Sequence, residues 1–104
     1  MAEWINIAVS IAELFQDGEK VAKKVGGKNI CFARWQDGVY AFNDKCPHAG
    51  GLLSHGYVDA MGNIVCPLHR YKFSLTRGYN VTGEGYHLKT YPVRIDEDGV
   101  WVEI

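Results

Sequence analysis

The sequence lacks any apolar run as long as the roughly 18 residues that a membrane-spanning helix needs. Its first residues are partly apolar, but Glu3 and Glu13 interrupt them and no basic segment precedes them, so we expect no signal peptide. An excess of charge of one sign is also lacking: the formal net charge is −1, which argues against nucleic acid as a main ligand. A chain of 104 residues, 47% of them hydrophobic, predicts one globular domain over residues 1–104.

Cysteine is scarce and odd in number, with only Cys31, Cys46 and Cys66. A disulfide framework in a short secreted chain usually has an even count, so the composition argues against that class and favours a cytoplasmic protein. Proline is scarce as well: there are three, and two of them, Pro47 and Pro67, directly follow a cysteine. The segments around Cys46 and Cys66 are therefore unusual for this chain.

Short strand-like runs alternate with turn signals along the chain, which is typical of an all-β sandwich or barrel. The predicted strands cover residues 4–9, 29–35, 39–43, 57–58, 63–65, 90–95 and 100–104. Asp37-Gly38, between the second and third runs, is a strong hairpin signal. Ser10 followed by Glu13 resembles a capping box and predicts a helix of one or two turns.

Glycine is concentrated in the middle of the chain, where seven of the 12 glycines fall between residues 50 and 85. Glycine permits backbone angles that are closed to other residues, so this stretch predicts tight loops rather than long strands. The expected architecture is a β frame with a loop-rich insertion.

Two mixed pairs of metal-ligating residues lie in this middle region. Cys46 and His48 are separated by Pro47; after 17 further residues, Cys66 and His69 form a second pair. Two thiolates and two imidazoles suit zinc or an iron–sulfur centre. Zinc fingers usually pair like with like, whereas mixed pairs fit a binuclear cluster in which both cysteines hold one iron and both histidines the other. A single such pair could be a buried cysteine beside an ordinary loop histidine, but two pairs disfavour that interpretation.

At these residues the sequence resembles the Rieske iron–sulfur family, specifically its ferredoxin-like members. The similarity continues through Leu53-Ser54-x-Gly56, Ile64, Phe73, Gly78 and the closing residues 88–104. It implies a Rieske-like antiparallel β sandwich or barrel with a cluster-binding subdomain inserted at about residues 44–78. It also implies one 2Fe-2S cluster per chain, with Cys46 and Cys66 on the buried iron and His48 and His69 on the iron nearer solvent.

The function implied by the resemblance is that of a soluble electron carrier rather than an enzyme. Such a monomer takes single electrons from a reductase and passes them to a terminal oxygenase or another redox enzyme. We do not expect an oxygenase, because a second domain with a mononuclear iron site does not fit into 104 residues. Two alternatives stay open: the small Rieske subunit of a nitrite-reductase-like complex, and a zinc-stabilised interaction module that uses the same four ligands.

The sequence also departs from the family pattern around the ligands. Gly51, or its neighbour Gly50, and Leu68 stand where cytochrome-complex members carry a disulfide, so we expect none here. Tyr71 and Phe73 stand where high-potential members have a serine and a tyrosine that donate hydrogen bonds to the cluster. Fewer donors leave the charge of the reduced cluster less stabilised, so we expect a reduction potential at the low end of the Rieske range.

Arg70 occupies a position, directly after the second histidine, where many ferredoxin-type members have glycine. Residues 44–78 contain four basic and two acidic residues, which predicts a basic collar that attracts an acidic partner. The remaining chemistry-bearing residues are not expected to be ligands: His55 is predicted to lie in a loop, His87 on the surface and Cys31 in the core.

Overall fold

The computed structural model describes residues 3–48 and 50–104, which contain ten strands, one α-helical turn and one 3-10 turn. The strands are β1 (Trp4–Ala8), β2 (Lys20–Val25), β3 (Lys28–Trp35), β4 (Gly38–Asn43), β5 (Tyr57–Val58), β6 (Asn63–Val65), β7 (Lys72–Ser74), β8 (Thr90–Tyr91), β9 (Val93–Asp96) and β10 (Gly99–Glu103). The helix α1 spans Ile11–Leu14 and the 3-10 turn spans Leu53–His55. The predicted all-β class is confirmed, and no described helix is long and apolar enough to cross a membrane.

The central sheet has the antiparallel order β2-β3-β4-β8. Its β3–β4 hairpin is the predicted one, but Gly38 pairs with Trp35, so the loop is Gln36-Asp37 and not the predicted connection Gln36-Asp37-Gly38. Gln36 takes the left-handed backbone conformation of this turn, with φ of 55°. Gly38 stays in the strand, where a Cβ atom would come within 2.6 Å of the Tyr40 hydroxyl oxygen. Strand β2 was not predicted from the sequence.

A second sheet has the order β1-β10-β9. The single strand predicted over residues 90–95 is wrong, because the chain forms two strands there that belong to different sheets. Strand β8 pairs with β4, whereas β9 pairs with β10. Pro92 lies between them and has no N–H to donate to a ladder, which explains why pairing stops at this residue.

The predicted helix is confirmed as a single turn. The hydroxyl oxygen of Ser10 accepts a hydrogen bond of 3.1 Å from the Glu13 N–H. The Glu13 carboxylate in turn accepts one of 3.3 Å from the N–H of Val9, the residue before the cap, rather than from that of Ser10. Leu14 points into the core, so α1 closes one end of the space between the two sheets.

Strand β3 is buried on both faces, because alternate side chains of a strand point in opposite directions. Ile30 and Phe32, both fully buried, pack in the core formed with the β1-β10-β9 sheet. Cys31 and Ala33, equally buried, pack in a second core on the opposite face. The central sheet therefore separates two hydrophobic cores.

The second core belongs to the segment inserted between β4 and β8. This segment forms a third antiparallel sheet, β5-β6-β7, whose strands are only two or three residues long. The β5–β6 hairpin is the predicted one, while β7 was missed. Leu53, Ile64 and Phe73 are fully buried and join the insertion to the underside of β3 and β4. Both predicted ligand loops lie in this insertion.

Candidate metal centre

The first ligand loop follows β4 and is closed by its own backbone. The Cys46 N–H donates to the carbonyl of Gly51 at 2.7 Å, and the Gly50 N–H donates to the carbonyl of Cys46 at 3.0 Å. The loop is anchored below by Asp44, which is only 4% exposed. The Asp44 carboxylate accepts hydrogen bonds from the Ser54 N–H at 2.8 Å and from its hydroxyl at 3.1 Å. A buried carboxylate needs such donors, so this pair holds the base of the loop in one geometry.

The second ligand loop follows β6 and is closed in the same manner. The Cys66 N–H donates to the carbonyl of Tyr71 at 2.9 Å, and the Arg70 N–H donates to the carbonyl of Cys66 at 3.0 Å. The backbone of Arg70 is left-handed, with φ of 59°, and turns the chain so that the Tyr71 carbonyl faces the Cys66 N–H. The loop therefore turns back within five residues and presents His69 at its tip.

The two loops bring the predicted ligands together. The possible ligand atoms of Cys46, His48 and Cys66 all lie within 4.8 Å of one another. The His48 Nε2 atom lies 2.9 Å from the His69 Nδ1 atom, which places the fourth side chain beside the other three. Cys46 and Cys66 are 1% and 0% exposed, whereas His48 is half-buried and His69 is exposed. Two thiols therefore lie inside and two imidazoles face outward.

Two tyrosine rings line the histidine side of this site. The Tyr71 ring lies 4.0 Å from that of His48 between centroids, and the Tyr86 ring lies 5.6 Å from it. Tyr71, considered from the sequence as a replacement for a short serine donor, is thus an aromatic neighbour of His48. Sequence reasoning missed Tyr86, because it lies 38 residues from His48 along the chain and no local motif marks it. It also missed Asp44, although the Leu53-Ser54-x-Gly56 pattern marks its partner.

Gly51 and Leu68, the two positions compared above with the disulfide of other family members, lie face to face. A Cβ atom on Gly51 would come within 2.8 Å of the Leu68 side chain, whereas one on Gly50 would meet Lys45 instead. Gly51 is therefore the residue opposite Leu68. Neither residue carries a thiol, so no disulfide can join these two positions.

The three residues that were not expected to be ligands do not belong to the close group of possible ligand atoms found among the described residues. His55 and His87 are exposed. Cys31 is fully buried below the site, and burial raises the pKa of its thiol to about 12, with the nearby Asp44 carboxylate acting in the same direction. A thiol with so high a pKa stays protonated and is a poor metal ligand or nucleophile.

The third segment of the site is a loop formed by residues 79–87. The Asn80 side-chain amide donates to the carbonyl of Lys72 at 3.1 Å and to the Thr82 hydroxyl at 3.0 Å. The Thr82 hydroxyl donates a short hydrogen bond to the Glu84 carboxylate, and this is the main cause that keeps the pKa of Glu84 below its ordinary value. Side-chain hydrogen bonds thus hold this loop in place.

The predicted basic collar is only partly available to a partner. Lys72 forms a 3.4 Å salt bridge with Asp59, whereas Lys45, Arg70 and Arg77 are exposed and form no salt bridge with any residue of 3–48 or 50–104. Burial by itself would raise the pKa of Asp59, but hydrogen bonds from the backbone and side chain of Asn63 outweigh it and lower that pKa. The two acidic residues of the segment, Asp44 and Asp59, are thus both engaged within the chain.

Comparison with known proteins bears directly on this donor set. The family of Rieske-like 2Fe-2S domains matches residues 3–103. The ferredoxin component of a naphthalene 1,2-dioxygenase system from Pseudomonas putida is 28% identical over 103 residues, covering 98% of this chain and 96% of the relative. In Rieske centres, two histidines replace two cysteines on one of the two irons, so two inner thiols and two outer imidazoles fit the cofactor of the family.

Two solved structures are similar over nearly the whole chain. The first is a complex of reduced oxygenase and oxidised ferredoxin in carbazole 1,9a-dioxygenase, with a TM-score of 0.81, 27% identity and coverage of 95% of this chain and 91% of the other. The second is a candidate NADH-dependent nitrite reductase small subunit from Mycobacterium tuberculosis, with a TM-score of 0.84, 22% identity and coverage of 100% and 96%. The second likeness shows the fold alone.

Proposed function

This chain belongs to the family of Rieske-like 2Fe-2S domains, and we propose that it carries single electrons from a reductase to a terminal oxygenase or another redox enzyme. The observation that carries the proposal is the meeting of two buried thiols and two outward imidazoles at one end of the fold. A pair of loops closed by backbone hydrogen bonds holds these groups in advance of any encounter. The relative from Pseudomonas putida is named as a ferredoxin component, which supports the role of carrier.

The ligand assignment is part of this proposal. Cys46 and Cys66 hold the inner iron of a 2Fe-2S cluster, and His48 and His69 hold the outer iron. When bound, such a cluster accepts and releases one electron at a potential of roughly −150 to +300 mV. The burial of both cysteines keeps water from the inner half of the site, because neither thiol is more than 1% exposed.

The protein side of the mechanism is positioning and exposure. Exposed His69 and half-buried His48 form the edge of the site nearest to a partner, so an electron leaves or enters on that side. The Tyr71 ring packs against His48 and restricts its orientation. An acceptor that docks over His69 therefore meets a fixed imidazole edge, and no bound substrate is required.

The terminal acceptor is proposed to be an oxygenase. A similar structure at 27% identity is a complex of an oxygenase with a ferredoxin, which supports this class of partner. The alternative, a small subunit bound permanently to a nitrite-reductase-like chain, is supported by likeness of fold only. Elution as a free monomer favours the carrier, whereas co-purification with a large flavin or haem subunit favours the subunit. Monomeric state and cytoplasmic location stay predictions.

Metal and sulfide analysis of anaerobically purified protein tests the proposal. We expect about two iron and two acid-labile sulfide per chain, with a brown-red colour. About one zinc without sulfide would overturn the electron carrier and leave a structural zinc module. The assignment of ligands is tested in parallel with His69→Ala, which we expect to lose iron, and with His87→Ala, which removes an exposed histidine that is not a proposed ligand and which we expect to keep it.

A further inference from the structure

Arg70 has a backbone conformation that disfavours its side chain. Among the described residues, only Gln36 and Arg70 combine a side chain with a positive φ; most positions of this kind are glycines. The conformation turns the chain back at Arg70, so that the Tyr71 carbonyl accepts the hydrogen bond from the Cys66 N–H that closes the second ligand loop. Glycine would adopt it without steric cost. Strain that persists directly beside a functional residue suggests that the side chain itself has a function.

The Arg70 side chain has no role inside the described part of the chain. Among residues 3–48 and 50–104, its guanidinium makes no salt bridge, hydrogen bond or cation–π contact, and the residue is exposed next to His69. An arginine fork that finds no partner within its own protein can bind a carboxylate with two parallel hydrogen bonds. The guanidinium is therefore available to a second molecule at the edge of the site.

Exposed cations lie beside both histidines. Arg70 is covalently adjacent to His69, while Lys45 and Lys89 lie with His48 around the first ligand loop. The two carboxylates of the segment are engaged within the chain, because Asp44 accepts hydrogen bonds from Ser54 and Asp59 pairs with Lys72. Arg70 is thus the cation next to the exposed His69.

An apolar contact point accompanies this positive charge. Leu68, directly before His69, is 53% exposed although it packs over Gly51. Three consecutive positions therefore differ in chemistry. Leu68 is apolar, His69 is a proposed ligand, and Arg70 is a cation that forms no salt bridge with the described residues. Protein interfaces commonly combine an apolar centre with a charged rim, and this triplet has that composition.

We propose that Arg70 is a docking residue that binds a carboxylate on the redox partner, while Leu68 makes the apolar contact beside it. The inference rests on the proposed function, because it concerns the encounter through which the electron passes. It states the partner's chemistry at one point: an acidic side chain opposite His69, next to an apolar patch. Charge at this place steers the encounter and sets its orientation.

Two small oxidants of opposite charge test the proposal without a known partner. Reduced protein is mixed by stopped flow with iron(III)–EDTA, an anion that carries carboxylates, or with the cation tris(phenanthroline)cobalt(III). Each oxidant takes one electron and its metal goes from the III to the II state. One unit charge at about 7 Å in water changes an encounter with a singly charged probe by about threefold. We expect Arg70→Gln to slow oxidation by iron(III)–EDTA about threefold at low salt and to accelerate oxidation by the cobalt complex.

Three substitutions at one position separate charge from backbone strain. Arg70→Lys keeps the charge and is expected to keep both rates. Arg70→Gln and Arg70→Gly both lose the charge, so we expect the two variants to have the same rate as each other with each oxidant. Arg70→Gly also relieves the left-handed strain, so it is expected to raise the midpoint of thermal unfolding. Gln36→Gly relieves comparable strain in a distant turn and is expected to leave both rates unchanged. Salt of about 1 M should remove the differences in rate, because the Debye length falls to about 3 Å.

The results distinguish failure of the docking role of Arg70 from failure of the proposed electron-carrier function. Equal rates for Arg70→Gln and wild-type protein with both oxidants, or an equally large effect from the distant control Arg94→Gln, would overturn the docking role and leave the electron carrier intact. Protein purified without iron and sulfide would overturn the proposed function itself. A change of opposite sign for the two oxidants, restored by Arg70→Lys, supports the docking role.

Discussion

The β frame and the inserted segment of this protein are stabilised by different means. The frame contains the hairpins β2–β3 and β3–β4, whose strands are six to eight residues long. The strands of the insertion have two or three residues, and each of its ligand loops is closed by two backbone hydrogen bonds around a buried thiol. Long strands bury apolar side chains at every second position, whereas short strands gain little. The insertion therefore has more to gain from a bound metal centre, because binding free energy is also folding free energy.

The largest expected effect is a difference in iron content between variants of two buried cysteines, Cys66 and Cys31. Cys66→Ala removes a proposed ligand, so we expect loss of iron and faster amide hydrogen exchange across residues 50–87, with the exchange of β2 to β4 changed least. Iron analysis and hydrogen-exchange mass spectrometry measure both effects. Cys31→Ala is the matched control: it removes an equally buried thiol from the same core, and we expect it to keep about two iron per chain. Equal iron loss in both variants would contradict the distinction.

A smaller effect is expected on the free energy of unfolding when a cavity is opened in either of the two hydrophobic cores. Phe32→Ala opens a cavity in the frame and is expected to lower the free energy of unfolding by about 3–5 kcal/mol. Leu53→Ala opens one beneath the first ligand loop, with an expected cost of about 2–5 kcal/mol. Urea unfolding is followed in parallel by circular dichroism, which reports mainly on the sheets, and by visible absorption, which reports on the insertion.

The two variants are expected to differ in whether the probes coincide. Phe32→Ala should shift both transitions together, because the frame supports the insertion. Leu53→Ala should move the visible transition to lower urea ahead of the other. Coincident transitions in both variants would mean that frame and insertion unfold as one cooperative unit.

The smallest effect concerns the pH dependence contributed by Cys31. Its thiol has a pKa of about 12 in the folded protein against an ordinary value of 9.0, since burial opposes ionisation. The unfolded chain therefore releases this proton first, and the stability due to Cys31 is complete below pH 9 and declines as the pH rises from there toward 12. The free energy of unfolding, measured at pH 8 and at pH 10.5, should fall more in the wild type than in Cys31→Ala. An equal fall in both would contradict the folded pKa.

Local signals in the sequence were enough for several elements of the fold. The β3–β4 and β5–β6 hairpins and the turn of helix capped by Ser10 all form, since each depends on residues close together in the chain. Strands β2 and β7 were missed, because lysines occupy half of the first and the second has three residues. The division at Pro92 was missed as well, since it depends on which sheet each half joins.

The sequence by itself determined which side chains are available for a metal centre, because the pairs Cys46–His48 and Cys66–His69 are each formed within one short loop. The sequence also separated Cys31 from the two proposed ligand cysteines, and the tertiary structure supplied the physical basis of that separation. Cys31 lies on a strand buried from both sides, where its pKa rises, whereas Cys46 and Cys66 lie at the ends of strands whose loops meet. The partners of Asp44, the aromatic contact of Tyr86 and the exposure of Arg70 likewise come from the fold. Spacing along the chain acts over a few residues, while burial and charge depend on segments brought together over long distances.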